Sequence, residues 1–583
     1  MCENLNWIRG IVDQVDRTEL WKTVTWLTKN TPYRLAGSEQ EKLAAEYVAT
    51  RMREYGLDVT NTTFRTYNSN PIASSFEVTS PVKRRLDSLP CAHIRSTPPE
   101  GADYELVYVG NGDHDSYHSL NIKGKLALVE VSYAPPVPEK ARIADEMGAA
   151  GIVCMNWGND EKVICHRGLK AVWGNPTEET LHKIPDIIGV GVTHTDGLWL
   201  KEQCRQGRVM VHVHAHSTRQ WSPVHQPCGI LHGNGKSDQM LLICSHLDAW
   251  QPGVTCNATG NATTLELCRI LSRHREKIDR DIYFVFWNGH EIAEAAGSTW
   301  FVDHNWDLLN KKCICYMHID STGVDETSIY EIKSSDELLQ FATDNVHALI
   351  PGGLRSMTLK KIGDQSFMGI GIPAVAQRMS FTKEAMAYAH GATLGWWNHT
   401  CKDNLDKCNI DTLVLDTKVH LAMICKLADS RILPYDFEKK IDKFCENLAT
   451  LNQLYGDRIE LLSLLSALSN VRAKVQKLQA ISIGLSDASL IARYNEALMS
   501  VSRLLTNVSQ TYVDKYQQDS YGHSFLSSPV PLLAQLPLLD KYPQDSMEYG
   551  MIETQLVKNR NRISDAISQL DQLLGLYLIV LKG

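Results

Sequence analysis

Residues 246–264 read HLDAWQPGVTCNATGNATT. His246 and Asp248 stand two apart at the end of the apolar run MLLICS, and the stretch leads into ATTLELCRILSRHRE, whose apolar residues recur at helical spacing. An imidazole and a carboxylate at a strand end are donors of the kind that hold a divalent cation. Ten residues after His246, where a second cation would call for another carboxylate, the chain carries Cys256.

The segments around this stretch repeat its pattern. IYFVFWNG, CICYMHIDS and GIPAVAQR are strand-like runs separated by helical ones. Strands alternating with helices predict a mostly parallel α/β sheet, with functional groups just past the carboxyl ends of its strands. Four polar clusters sit at such places: His246 and Asp248; His290, Glu291 and Glu294; His318 and Asp320; His399 and Asp403. A lone histidine at a strand end is more often structural than functional, but four clusters in order are a stronger signal. Mixed His/carboxylate sets favour Zn²⁺ or Mn²⁺ over Mg²⁺, and such a cation polarises a carbonyl and acidifies bound water.

The chain has 583 residues, so several domains are expected, and its net charge of −8 with no basic run gives no nucleic-acid surface. Residues 1–70 together with 231–430 read as the α/β unit. Residues 71–230 read as a separate β-rich insertion with one helix, ARIADEMGA, and with PVHQP (223–227) as its exit. Residues 431–583 read as a helical unit suited to packing or dimerisation. No apolar run reaches the roughly 18 residues a membrane span requires. The N-terminus is not that of a signal peptide, and fifteen scattered cysteines suit a reducing compartment. A cytoplasmic location without membrane contact is the expectation. The sequons at Asn257, Asn261 and Asn398 lie beside the candidate site and are read as unused.

The ordered motifs resemble Peptidase family M28, in the branch of glutamate carboxypeptidase and the transferrin receptor. RLAGSEQEKLAAEYV resembles that family's opening helix, and VGNGDHDSYHSLNIKGKLALVEV with KARIADEMGAAGIVCMNW resembles an inserted protease-associated (PA) domain. HLDAW, FVFWNGHEIAEAAGSTWF, YMHIDS, GDQSF, GIPAV and WNHTCKDNLD resemble the peptidase core. The resemblance implies an M28 peptidase-like sheet with helices on both faces, a PA-like β-rich insertion and a C-terminal helical domain that forms a homodimer. It implies one cation on His246 and Asp320 and another on Glu291 and His399, with Asp248 holding the His246 ring. Zn²⁺ is the expected ion, one or two per chain, with Mn²⁺ or Fe²⁺ as alternatives. The implied activity is aminopeptidase-like hydrolysis of peptide or amide bonds by metal-activated water.

Two positions depart from the family pattern. The bridging aspartate is replaced by Cys256, which either ligates as thiolate or stays neutral beside a single cation. The general-base glutamate is replaced by His290 when the loop is counted forward from Trp287; counted back from GST (297–299), the base is Glu291 and one ligand is lost. Asp364 and Arg378 are candidate substrate-binding groups. Asn398 stands where a tyrosine is common in that branch. The changes keep two other readings open: a mononuclear amidohydrolase on a small substrate, or a transferrin receptor-like scaffold without catalysis.

Overall fold

The computed structural model describes residues 2–158, 163–361, 363–520 and 528–581. Fourteen strands of these residues form one sheet. They are β1 (Asp58–Ser80), β2 (Arg84–Leu86), β3 (Leu89–Pro90), β4 (Ala102–Gly110), β5 (Leu126–Glu130), β6 (Gly151–Met155), β7 (Ile188–Val192), β8 (Val209–Leu231), β9 (Met240–His246), β10 (Asp281–Trp287), β11 (Cys313–His318), β12 (Ile329–Ser334), β13 (Leu354–Thr358) and β14 (Ala374–Ser380). The order is β13-β12-β14-β11-β9-β10-β8-β4-β5-β6-β7-β3, with β1 alongside β8.

At the centre, β14, β11, β9 and β10 run parallel, so their carboxyl ends emerge together. The register sets Trp287 beside His246 and His318 beside Cys244, which brings three of the four polar clusters to one rim. Successive residues of β9 face opposite sides. Leu241 and Ile243 pack with Ile282, Phe284 and Leu267 in one core, whereas Met240, Leu242 and Cys244 pack with Val285, Phe301 and Leu309 in another. Helices Thr259–Leu271 and Ile410–Asp429 cover the first face, and Ala296–His304 and Trp306–Lys312 the second. The chain is therefore a mixed, mostly parallel α/β fold with a C-terminal helical region.

The stretch PVHQP is not an exit loop. Pro223 and Pro227 lie inside β8, which pairs with β1 along almost its whole length. The other edge of β8 meets β4 at residues 209–213 and β10 at 228–231. Between those pairings a missing proline N–H costs no ladder bond on that edge. The β1–β8 ribbon runs from the main core, at Leu57 and Leu231, to a second core around β4–β7, at Phe76 and Val213. That second core is flanked by two helices, Val137–Glu146 and His194–Gln206, rather than the single one expected. The second is capped by the Thr193 side chain, which accepts from Asp196 N.

A buried ion pair ties the helical tail to the sheet region. Lys440 Nζ lies 2.9 Å from Glu337 Oε2 and also donates to Thr506 Oγ1, while Glu337 Oε1 accepts from Ser502 Oγ. Removing one partner of such a pair strands a buried charge. Lys440→Met is expected to destabilise the protein by about 3–5 kcal/mol, read by thermal unfolding, and Lys440→Met with Glu337→Met to recover most of the loss.

Candidate metal centre

His246 ends β9 with its ring fully buried. Its Nδ1 donates to the main-chain oxygen of Asp248 at 2.9 Å. That bond places a proton on Nδ1 and turns Nε2 inward, the nitrogen that a cation could take in place of a proton. Nε2 lies 3.3 Å from Asp320 Oδ1 and 3.8 Å from Cys256 Sγ. On the far side of the thiol, Sγ lies 3.3 Å from Glu291 Oε1 and 3.5 Å from His399 Nε2. Glu291 Oε2 and His399 Nε2 are 3.1 Å apart. The result is two triads, His246–Cys256–Asp320 and Cys256–Glu291–His399, whose donor atoms within each triad lie within 4.8 Å of one another. Cys256 belongs to both.

This set fits a divalent cation in each triad. Each triad offers one imidazole nitrogen and one carboxylate oxygen beside the shared sulfur, a mixture suited to zinc. Burial opposes ionisation of Glu291, but His399, His246 and His290 outweigh it and hold the carboxyl down at about 2. Asp320 is likewise held well below the usual range by His246 and His318, against burial. Burial, together with Glu291 and Asp320, pushes the Cys256 thiol well up. A cation at the triads would reverse that bias and favour the thiolate.

The supports differ in part from those expected. The Asp248 carboxylate does not hold the His246 ring; the main-chain carbonyl does. Its two oxygens instead accept the amides of His290 (3.1 Å) and Glu291 (3.0 Å), and so pin the loop after β10. Asp403 accepts from Thr255 N, Thr255 Oγ1 and Cys256 N. Arg34 is completely buried and donates to the carbonyls of Leu247, Pro252 and Gly253. Between them, Asp403 and Arg34 fix the loop that carries Cys256. Asn257 and Asn261 are buried and fully engaged: Asn257 links Gly260, Ser321 and Ile319, and Asn261 holds the carbonyls of His246 and Asn257. Neither can accept a glycan in the folded chain.

Glu291 sits in the second triad, the position that the forward count gives it. His290 is engaged elsewhere: its Nδ1 donates to Asp364 Oδ2 at 2.9 Å, and its ring stacks on His246 with centroids 4.0 Å apart. Asp364 thus holds the His290 ring. It is buried, with Ser298 Oγ donating to its other oxygen. The Arg378 guanidinium donates to the main-chain carbonyl of the triad residue Asp320 at 3.2 Å. Glu294 lies in the cleft wall with its carboxyl raised to about 8 by burial, against the opposing charge of Lys170.

A cleft of about 370 Å³ opens beside Glu291 and His399 of the second triad. Glu291, Glu294, His290, His399 and Trp250 line one side, and the β4–β7 unit supplies Trp157, His166, Arg167 and Gly168 on the other. The unit grips both ligand loops. His166 N donates to His399 O at 2.8 Å, Lys170 Nζ to Ala293 O, Gly174 N to Glu294 O, and His93 Nε2 to Ile292 O. The His166 ring stacks on Trp250. Arg34 and these insertion residues were not singled out as site residues from sequence. HRGLK (166–170), with three basic residues in a β-rich segment, is a signal that could have pointed to the insertion residues, and nothing comparable marked Arg34.

Asp403→Ala would strand the Thr255 and Cys256 amides without acceptors, at about 1–3 kcal/mol each. The expected outcome is a lowered unfolding temperature together with reduced metal retention, read by calorimetry and elemental mass spectrometry.

Residues 229–423, which contain both triads, match the family model described as Peptidase family M28. Among curated proteins the chain is similar to transferrin receptor protein 2 of Homo sapiens, at 25% identity over 280 residues covering 43% of this chain and 33% of that protein. It is similar to the probable glutamate carboxypeptidase LAMP1 of Arabidopsis thaliana (22% identity; 48% and 43%) and to aminopeptidase YwaD of Bacillus subtilis (26% identity; 52% and 61%). The matches thus span between 33% and 61% of these relatives' own lengths. Among solved structures, the peptidase M28 precursor from Shewanella amazonensis superposes with a TM-score of 0.60 at 20% identity, covering 74% of this chain and 98% of that one. The aminopeptidase from Aneurinibacillus sp. strain AM-1 gives 0.55 at 21% identity, covering 72% and 96%. The chain therefore has the fold of these solved peptidases, and its segment 229–423, with every triad residue inside it, is a match to Peptidase family M28.

Proposed function

We propose that the chain is a metal-dependent hydrolase of peptide or amide bonds, aminopeptidase-like in class. The observation that carries this reading is the pair of donor triads sharing Cys256, with Glu291 and His399 of the second triad lining a cleft. Its kinship to proteins named aminopeptidase, and its fold likeness to one titled a zinc aminopeptidase, support zinc as the ion. His246, Asp320, Glu291 and His399 would hold the ions, with Cys256 as the shared thiolate. Bound there, they would supply an electrophile for the carbonyl and an acidified water.

The chain's own residues supply position and enclosure. Asp248 fixes the His290–Glu291 backbone, and Asp364 fixes the His290 ring, so the ligand loop has one shape. Trp157, His166, Arg167 and Trp250 narrow the cleft and exclude water from the reacting bond. On this reading residues 71–230 are a PA-like unit that completes the substrate cleft. Residues 431–583 serve as a homodimer interface, an assignment supported by the exposed Met547, Met551, Leu576 and Ile579 on helix Met547–Val580.

The test is hydrolysis of a panel of aminoacyl p-nitroanilides and short peptides by zinc-loaded protein. The wild type is expected to turn over, and His399→Ala to lose at least about 10³-fold in kcat/KM. A wild type inert with Zn²⁺, Mn²⁺ and Fe²⁺ on every substrate would contradict the reading.

A further inference from the structure

We propose that Glu294 is the proton carrier of the reaction, taking the place of the carboxylate that position 290 lacks. The inference rests on the hydrolase reading above and assigns a role that the sequence motif gave to His290 or Glu291.

Both of those residues are committed. Glu291 lies between Cys256 Sγ and His399 Nε2, inside the second triad. His290 donates Nδ1 to Asp364, and its ring is stacked against His246. Glu294 is the free carboxyl of the same wall. It lies three residues past Glu291 and lines the cleft with Glu291, His290 and His399. It is 7% exposed, yet among the described residues its carboxyl forms no hydrogen bond or ion pair. A carboxyl left without a hydrogen-bond partner in a cleft wall is open to one that arrives with the substrate.

The backbone aims this side chain deliberately. Glu294 and Ala295 are consecutive non-glycine residues in the left-handed region, at φ 49° and 57°. L-residues seldom adopt that conformation, and two in succession persist only where the surroundings impose it. Here Gly174 N donates to Glu294 O at 2.6 Å, Ala296 N to Gly289 O, and Lys170 Nζ to Ala293 O. Two of these three bonds come from the inserted unit. The Glu294 carboxylate oxygen also lies close to Gly168, where even a methyl group would stand 3.4 Å from it. The insertion therefore sets the direction of a carboxyl on the ligand loop, and Lys170 opposes, without outweighing, the burial that favours its protonated form.

The step balances as follows. A water O–H bond breaks and its proton passes to the Glu294 carboxylate as the water oxygen bonds to the substrate carbonyl carbon. The carboxyl then gives that proton to the amide nitrogen as the C–N bond breaks. An amine and a carboxylic acid leave, and Glu294 is again ionised.

The experiment compares zinc-loaded full-length wild type, Glu294→Gln, Glu294→Asp and Glu294→Ala on the best substrate of the panel. Glu294→Gln is expected to lose about 10²–10⁴-fold in kcat with KM within about three-fold of wild type. Metal content and calorimetric affinity for a non-cleavable peptide analogue should stay at the wild-type level. Glu294→Asp should retain more activity than Glu294→Gln, and added formate should partly restore Glu294→Ala. A KM rise at constant kcat would overturn the proposal and make Glu294 a substrate-amine site. Loss of metal or of analogue binding would overturn it in favour of a structural role, as would a Glu294→Gln enzyme of wild-type rate. An inert wild type is a different result: it removes the hydrolase reading itself, and this assignment with it.

Discussion

The site depends on two buried charges of opposite sign that hold one loop. Arg34 gathers the carbonyls of residues 247, 252 and 253, and Asp403 gathers the amides of 255 and 256. A guanidinium only donates and a carboxylate only accepts, so each satisfies the half of the backbone that the other cannot. Their desolvation is offset by these bonds; burial still lowers Arg34 to about 10 and raises Asp403 to about 6. The loop they fix ends at Cys256, the one side chain that both triads use. If that loop relaxed, the two halves of the donor set would separate into unrelated polar pairs.

The unit around β4–β7 is the second constraint. It is joined to the main core by the β1–β8 ribbon and is also bonded to the loops that carry Glu291 and His399. Its segment 166–174 donates a main-chain or side-chain hydrogen to His399, Ala293 and Glu294 in turn. A unit so placed contributes both cleft wall and loop geometry. This accounts for His399 at φ 60° and Glu294 at φ 49°, conformations that a free loop would relax.

Much of this was legible in the residues because burial writes a strong pattern. Strands β9, β10 and β11 are apolar runs ending in polar clusters, and the polar residues follow the strand because the strand end opens to the site; the fourth cluster, His399 with Asp403, sits in a loop well past β14. Strands β12 and β13 were not singled out: IYEIKS and LRSMT mix charges with apolar residues, because Glu331, Lys333, Arg355 and Arg378 form a paired cluster on them and on β14. PVHQP looked like a break because proline usually ends a strand, and only the unpaired edge of β8 explains its tolerance. Side-chain direction was also hidden. Sequence spacing could name Asp248, Asp364 and Arg378 as site residues but could not tell that the first holds amides, the second a histidine and the third a carbonyl. Arg34, 212 residues before His246 in the chain, carried no local signal for a loop it meets only in the fold.

The central claim is that Cys256 serves both triads as a shared thiolate. X-ray absorption at the zinc edge of the loaded protein tests it most directly. The account predicts about one sulfur neighbour per zinc at about 2.3 Å, lost in Cys256→Ser while nitrogen and oxygen neighbours remain. A wild-type shell of nitrogen and oxygen alone, unchanged by Cys256→Ser, would contradict it.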